Sequence, residues 1–214
     1  MIVLKVGGAV AGGTLPLPDG DVCVVHGAGL QITAEMERRG LPVEFVRGRR
    51  VTTAAALEVV REALAAVNRG LCAAIGPRAV GLMGDEIGLR ARRIPELGLV
   101  GEPLASAPPT VLDALAAGLV PVVAPLAAGP LNVNADELAA ALAAGLGAER
   151  LVFLTDVPGL LRGGTVVRRI PADEAEELLA SGELDGGILP KLTAAVTAAR
   201  LGVAASIGET AVHA

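Results

Sequence analysis

Two lysines in unusual settings are the groups best placed to do chemistry in this sequence. Lys5 interrupts the apolar run IVLKV at residues 2–6 and is followed at once by Gly7 and Gly8. Such a run makes a buried strand, and an ammonium is costly to bury unless an anion sits beside it. Two glycines at the strand end let the chain turn tightly and bring bare N–H groups forward. Strand, lysine and glycine turn together suggest a phosphate site; on these residues alone, a solvated lysine on an edge strand is the simpler reading. Lys191 closes a second glycine-rich stretch, GELDGGILPK at 182–191, and opens a helix expected over 192–201. Its charge there opposes the helix dipole, which points to an anion in front of it.

Other polar groups cluster in motifs. Asn132, Asn134 and Asp136 alternate in LNVNAD, so an extended chain places them on one face. A helix over 137–146 follows; Asp136 alone would read as its cap, but three polar groups at alternate positions exceed what capping requires. Arg49 and Arg50 in FVRGRRVT are either solvated surface charges or, beside a glycine turn, carboxylate clamps that use two parallel hydrogen bonds. In VVHGAG, Gly27, Ala28 and Gly29 stand where a strand turns into a helix, a geometry that offers backbone N–H groups to an anion. His26 in that motif is read as a hydrogen-bonded structural residue. A dinucleotide fingerprint fails because Ile32 occupies the third glycine position, and there is no GxxxxGK[ST] loop.

These residues need a scaffold of alternating strands and helices. Strands are expected at 2–6, 22–25, 79–83, 97–102, 119–124, 151–154, 166–170 and 203–207, and a hairpin turn at 84–88 is expected to return as a strand over 89–94. Helices are expected at 30–39, 54–69 (capped by Thr53), 111–117, 137–146, 173–180 and 192–201, with residues 9–20 as a loop. Leu57, Val60, Leu64 and Val67 form one apolar face. The alternation gives an α/β fold with a largely parallel sheet. Thr155 and Asp156 follow a strand end, where ligands bind in such folds.

Composition narrows the partners. Of 214 residues, 52% are hydrophobic but only 1% aromatic, so the core is built from small aliphatic side chains. Net charge is −5 with no basic tract, which argues against a nucleic-acid surface. Cys23 and Cys72 have no metal-ligand spacing. No signal peptide is visible, and the apolar region 111–128 carries Pro121 and Pro125, which argues against a membrane span. A cytoplasmic protein with no membrane partner is the expectation.

Taken in order, IVLKVGG (2–8), VVHGAG (24–29), FVRGRRVT (45–52), AVGLMGDE (79–86), LGLVGE (97–102), GLVPVVAP (118–125), LNVNADELA (131–139), LVFLTDVPGLL (151–161) and GGILPKLTAA (186–195) resemble the amino acid kinase family, and within it the N-acetylglutamate kinases. The resemblance covers almost the whole chain. It implies one amino acid kinase domain over 1–214, an open α/β/α sandwich with a mainly parallel central sheet. A lobe of about 1–149 would bind the acyl amino acid and form a homodimer; a lobe of about 150–214 would bind ATP. The reaction implied is transfer of the γ-phosphoryl group of ATP to the γ-carboxylate of N-acetyl-L-glutamate in arginine biosynthesis, with Mg²⁺ held mainly by phosphates and water. No metal site of the protein's own is expected.

Carried over residue by residue, the resemblance implies that Lys5 and Lys191 contact the transferred group and that Asp136 holds both lysines. N–H groups of Gly8 and of the turn Gly27, Ala28 and Gly29 cradle the phosphoryl oxygens. Arg50 clamps a substrate carboxylate, Asn132 and Asn134 bind the acylated amino acid, and Gly7, Gly8, Thr155 and Asp156 belong to the nucleotide site. Three departures stand out: residues 9–20 replace a long first helix, the chain is short after Val203, and Ala28 stands where a glycine is common. No helix precedes Met1, so an unregulated dimer is expected. Two alternatives are a kinase of carrier-protein-bound α-aminoadipate in lysine biosynthesis and a catalytically decayed nucleotide-binding member.

Overall fold

The computed structural model describes residues 1–7, 15, 17–155, 157–184 and 186–214. The first half of the chain forms β1 (Ile2–Val6), β2 (Val22–His26), α1 (Gly29–Arg38), β3 (Phe45–Val46), β4 (Arg49–Arg50), α2 (Ala54–Ile75), β5 (Ala79–Met83), β6 (Ala91–Arg93) and β7 (Val100–Pro103). It continues with α3 (Pro109–Ala116), β8 (Val120–Ala124), β9 (Leu126–Ala127), β10 (Leu131–Val133) and α4 (Ala135–Gly145). The remainder supplies β11 (Arg150–Leu154), β12 (Leu161–Arg162), β13 (Thr165–Val166), β14 (Arg169–Pro171), α5 (Ala172–Ser181), α6 (Ile188–Arg200), β15 (Ala204–Ile207) and β16 (Thr210–His213).

Eight strands make the central sheet in the order β14-β16-β15-β11-β1-β2-β8-β5. From β15 to β5 every pairing is parallel; β16 runs antiparallel to β15 and carries β14 parallel to itself. Side-chain alternation divides β1 between two apolar layers. Leu4 and Val6 join Met36, Val60, Leu64 and Leu71 of α1 and α2, whereas Val3 joins Leu138 and Leu142 of α4 and Leu192 and Val196 of α6. The result is an α/β/α sandwich, and the period of two puts Lys5 on the face that carries α4.

Small side chains let the helices approach closely. A Cβ at Gly145 of α4 would stand 2.1 Å from Ser106 O, which is backbone and cannot yield. Gly145→Ala is therefore expected to destabilise the fold by about 3 kcal/mol, read as a fall in the urea midpoint at unchanged slope.

Several elements differ from the sequence expectation. Residues 89–94 do not return along β5: β6 pairs antiparallel with β7 in a separate four-stranded sheet, β6-β7-β10-β9, and β5 is left as the edge of the main sheet. Helix α2 runs past Gly70 to a stop at Gly76 (φ +92), because Leu71 extends its buried face. Thr53 does cap it, its Oγ1 accepting from Ala56 N at 3.2 Å. Helix α6 starts at Ile188 and carries Pro190 in its first turn, where no N–H is needed. The expected strand 166–170 is split into β13 and β14, and a further strand, β16, follows the turn at Gly208. Most of the expected loop 9–20 lies outside the described residues. No helix among the described residues is long and apolar enough to cross a membrane.

Candidate active site

The buried lysine of β1 has its anion. Lys5 Nζ lies 2.7 Å from Asp136 Oδ1, and both side chains are under 10% exposed. The contact is an ion pair by distance, although no aligned hydrogen bond reaches Oδ1. Asp136 is in the first turn of α4, where the helix dipole favours a carboxylate. It is not the helix cap. Asn134 takes that role, its Oδ1 accepting from Asp136 N at 2.8 Å and Glu137 N at 3.2 Å. Its Nδ2 donates to Gly48 O at 3.1 Å, so the Asn134 amide is spent on holding structure. Capping demands an acceptor at this position, and Asn134 supplies it while also lining the candidate cavity.

The turn after β2 offers fewer donors than expected. Gly27 N–H donates to Val6 O at 3.1 Å and is committed to the sheet edge. Helix α1 then begins with Ala28 as N-cap, without a side-chain cap and without an acid in its first turn. Among the described residues, the N–H groups of Ala28 and Gly29 have no acceptor. An uncapped helix start of this kind favours an anion.

The hairpin of β3 and β4 turns at Arg47 (φ +49) and Gly48 (φ +77), the left-handed pair of a tight two-residue turn. It delivers two arginines to different ends. Arg49 Nε donates to Glu137 Oε1 at 2.8 Å. Burial raises the Glu137 carboxyl above the usual carboxylate value, a rise that Arg49 only partly offsets. Arg50 is 6% exposed and reaches no carboxylate among the described residues. Its Nη2 donates to Thr33 Oγ1 at 2.8 Å and Gly29 O at 3.2 Å, and Phe45 lies beneath the guanidinium at 4.5 Å. Burial alone lowers its pKa from the usual value. A buried cation without an acid partner needs an anion from outside.

One cavity of about 200 Å³ gathers Lys5, Asp136, the turn 27–29, Arg50, Asn132 and Asn134. Asn132 Nδ2 donates to Thr52 Oγ1 at 3.0 Å, so its carbonyl oxygen is the end left for a ligand. A second cavity of about 440 Å³ holds Thr155, Gly186, Gly187 and Lys191. Lys191 Nζ folds back to Gly187 O at 3.1 Å, one turn earlier in its own helix. Asp136 pairs with Lys5 in the first cavity, and Lys191 lines the second. Gly7 ends β1 with open space beside its Cα. Gly8 and Asp156 lie outside the described residues.

His26 is fully buried, and its pKa is pushed down to about 4, chiefly by that burial, with Lys5 adding to the effect. The unfolded chain binds a proton near the ordinary value of 6.5, while the native chain resists until about 4. Stability is therefore full above the unfolded value and is lost as pH falls through this window. Between pH 7 and pH 5 the loss is expected to be about 2 kcal/mol, measured by urea unfolding and largely abolished in His26→Gln. Sequence reading missed Thr33, Thr52 and Asn68, which hold Arg50, Asn132 and His26. For Asn68 alone a signal existed: a polar residue inside the apolar face of α2.

A mainly parallel sheet between helical layers, with a buried lysine–aspartate pair and an uncapped helix start at its strand ends, defines an α/β protein with a cavity suited to an anion. Residues 1–208 match the model of the amino acid kinase family, and the chain belongs to that family. It is 45% identical over 221 residues to the acetylglutamate kinase of Rubrobacter xylanophilus, covering 96% of this chain and 87% of that one. It is 45% identical over 201 residues to the acetylglutamate kinase of Saccharopolyspora erythraea, covering 84% of this chain and 66% of the relative. The structure of smu.665 from Streptococcus mutans superimposes with a TM-score of 0.89 at 26% identity, over 99% of this chain and 98% of that one.

Proposed function

We infer that this chain transfers the γ-phosphoryl group of ATP to the γ-carboxylate of N-acetyl-L-glutamate, a step in arginine biosynthesis. The observation that carries the reading is Arg50: a buried guanidinium with no acid partner among the described residues, in the same cavity as Lys5 and as Ala28 and Gly29, whose N–H groups have no acceptor among those residues. One end of that cavity suits a substrate carboxylate, and the other suits a phosphoryl group. The relatives named acetylglutamate kinase support the choice of acyl amino acid.

The chemistry asks little covalent help of the protein. A carboxylate nucleophile is already ionised at neutral pH, so no general base is required. Positioning in line and neutralising charge on the moving oxygens carry the rate. Arg50 fixes one carboxylate of the substrate, Asn132 reads its α-substituents, and Lys5 meets the charge that develops on the transferred group. Lys191 and Thr155, which line the second cavity, serve the nucleotide, and Gly7, Gly8 and Asp156 are assigned to nucleotide binding with them. Asp136 holds Lys5 in place across 2.7 Å. Among the described residues no three His, Cys, Asp or Glu side chains come together to hold a metal. Mg²⁺ arriving with ATP would be carried by phosphate oxygens and water. The regions of about 1–149 and 150–214 are assigned to the acyl amino acid and to ATP, and the working form to a cytoplasmic homodimer.

ADP release tests this reading, with N-acetylglutamate compared against N-acetylglutamine, which lacks the γ-carboxylate. Release is expected with the first and not with the second. Equal release with both, or with ATP alone, would overturn it.

A further inference from the structure

Beside the turn 27–29, three polar groups form a chain through an otherwise apolar layer. Asn68 of α2 is 6% exposed, and its Nδ2 lies 2.8 Å from Val122 O and 3.0 Å from His26 Nε2. His26 Nδ1 faces Gly27 O at 3.4 Å. The Val122 carbonyl can only accept, so it fixes the Asn68 amide with its NH₂ group toward the sheet. That NH₂ group then needs an acceptor at His26 Nε2. The imidazole is thereby held as the neutral tautomer with its proton on Nδ1, aimed at the Gly27 carbonyl.

The orientation of one peptide follows. A trans peptide points its C=O and N–H in opposite directions. With the Gly27 carbonyl turned to His26, the Ala28 N–H points away from the imidazole, and Ala28 lines the cavity. Gly27 is also held from its other side, by its own N–H to Val6 O. Gly81 on β5 makes room for the chain: a Cβ there would stand 2.1 Å from Asn68 Oδ1. We propose that Asn68 and His26 are positioning residues that lock the Gly27–Ala28 peptide, so that the Ala28 and Gly29 N–H groups face the transferred phosphoryl group. The catalytic part of this inference rests on the kinase reading above; the tautomer and the peptide orientation do not.

The test compares wild type with Asn68→Leu, close to isosteric, and Gly81→Ala, which displaces the same amide from another element. In Asn68→Leu, kcat for acyl phosphate formation is expected to fall about 100-fold, the effect of losing one preorganised donor. The KM for N-acetylglutamate, set by Arg50 and Asn132, should change by less than about twofold. In parallel, the imidazole ¹⁵N shifts should show the proton on Nδ1 in wild type and a mixture of tautomers in the variant, with a moved Ala28 amide resonance. Folded Asn68→Leu with kcat within about threefold of wild type, or a kcat loss with the His26 and Ala28 resonances unmoved, would overturn the inference. If Asn68→Leu does not fold, Gly81→Ala must show the same kcat loss and resonance changes, and its failure to do so overturns it equally. A wild-type enzyme that makes no product at all would sink the kinase reading, whereas wild-type His26 protonated on Nε2 would sink the positioning chain whatever the activity.

Discussion

Replacing Lys5 with alanine is expected to lower kcat by about 1,000-fold or more, the scale seen when one charge facing a transferred phosphoryl group is removed. The ammonium comes from near the end of β1, on the sheet face that carries α4, and lines the same cavity as Ala28 and Gly29, whose N–H groups have no acceptor among the described residues. The other cations among the described residues lining that cavity are committed elsewhere: Arg49 to Glu137, and Arg50 to Gly29 O and Thr33. The same substitution strands the Asp136 carboxylate, which is 8% exposed, with no counter-charge. Removing one member of a buried pair costs about 3–5 kcal/mol. The two losses separate in a double variant. Lys5→Met with Asp136→Leu should recover most of the stability, since an apolar pair of similar volume replaces a desolvated ion pair, yet it should remain inactive. Circular dichroism melts and steady-state kinetics on both variants and wild type read both effects. A Lys5→Ala protein that keeps more than about a tenth of wild-type kcat would remove Lys5 from the reacting centre.

Arg50→Ala should act on binding instead. The guanidinium is preorganised by Thr33, Gly29 O and the Phe45 ring, so it meets a carboxylate with little ordering cost. Its removal should raise the KM for N-acetylglutamate about 100-fold, or roughly 3 kcal/mol, and leave the KM for ATP within about twofold. Arg50→Lys should recover little, because an ammonium cannot form the paired hydrogen bonds of the guanidinium fork. A rise in the ATP KM with an unchanged acetylglutamate KM would place Arg50 on the wrong substrate.

Much of this arrangement was legible from residue types. A lysine in an apolar strand demanded an anion, and Asp136 is there. A glycine turn between strand and helix announced free N–H groups, and those of Ala28 and Gly29 have no acceptor among the described residues. What escaped was set by contacts distant in sequence. Nothing local says that Gly27 N–H is claimed by Val6 O, or that Asn134, the middle member of an alternating trio, is the one that caps α4. Residues 89–94 were read as the partner of β5 because a glycine turn precedes them. Their true partner, β7, is chosen by the second sheet, which no short pattern encodes. Helix α2 continues through Gly70 because burial of Leu71 outweighs the helix cost of one glycine, about 1 kcal/mol. Which cavity Lys5 and Lys191 each line is set by the packing of distant elements, and spacing along the chain carries no information about that.

The most direct measurement is hydroxylamine trapping of the product, with wild type and Lys191→Ala, using ATP, Mg²⁺ and N-acetyl-L-glutamate. Hydroxamate from wild type, largely lost in the variant, is the expected result and would establish acyl phosphate formation together with the second lysine's part in it. No hydroxamate from wild type with N-acetylglutamate would contradict the central claim. Product from carrier-bound α-aminoadipate instead would move the enzyme to another acceptor, and product from neither would leave a nucleotide-binding member of the family without turnover.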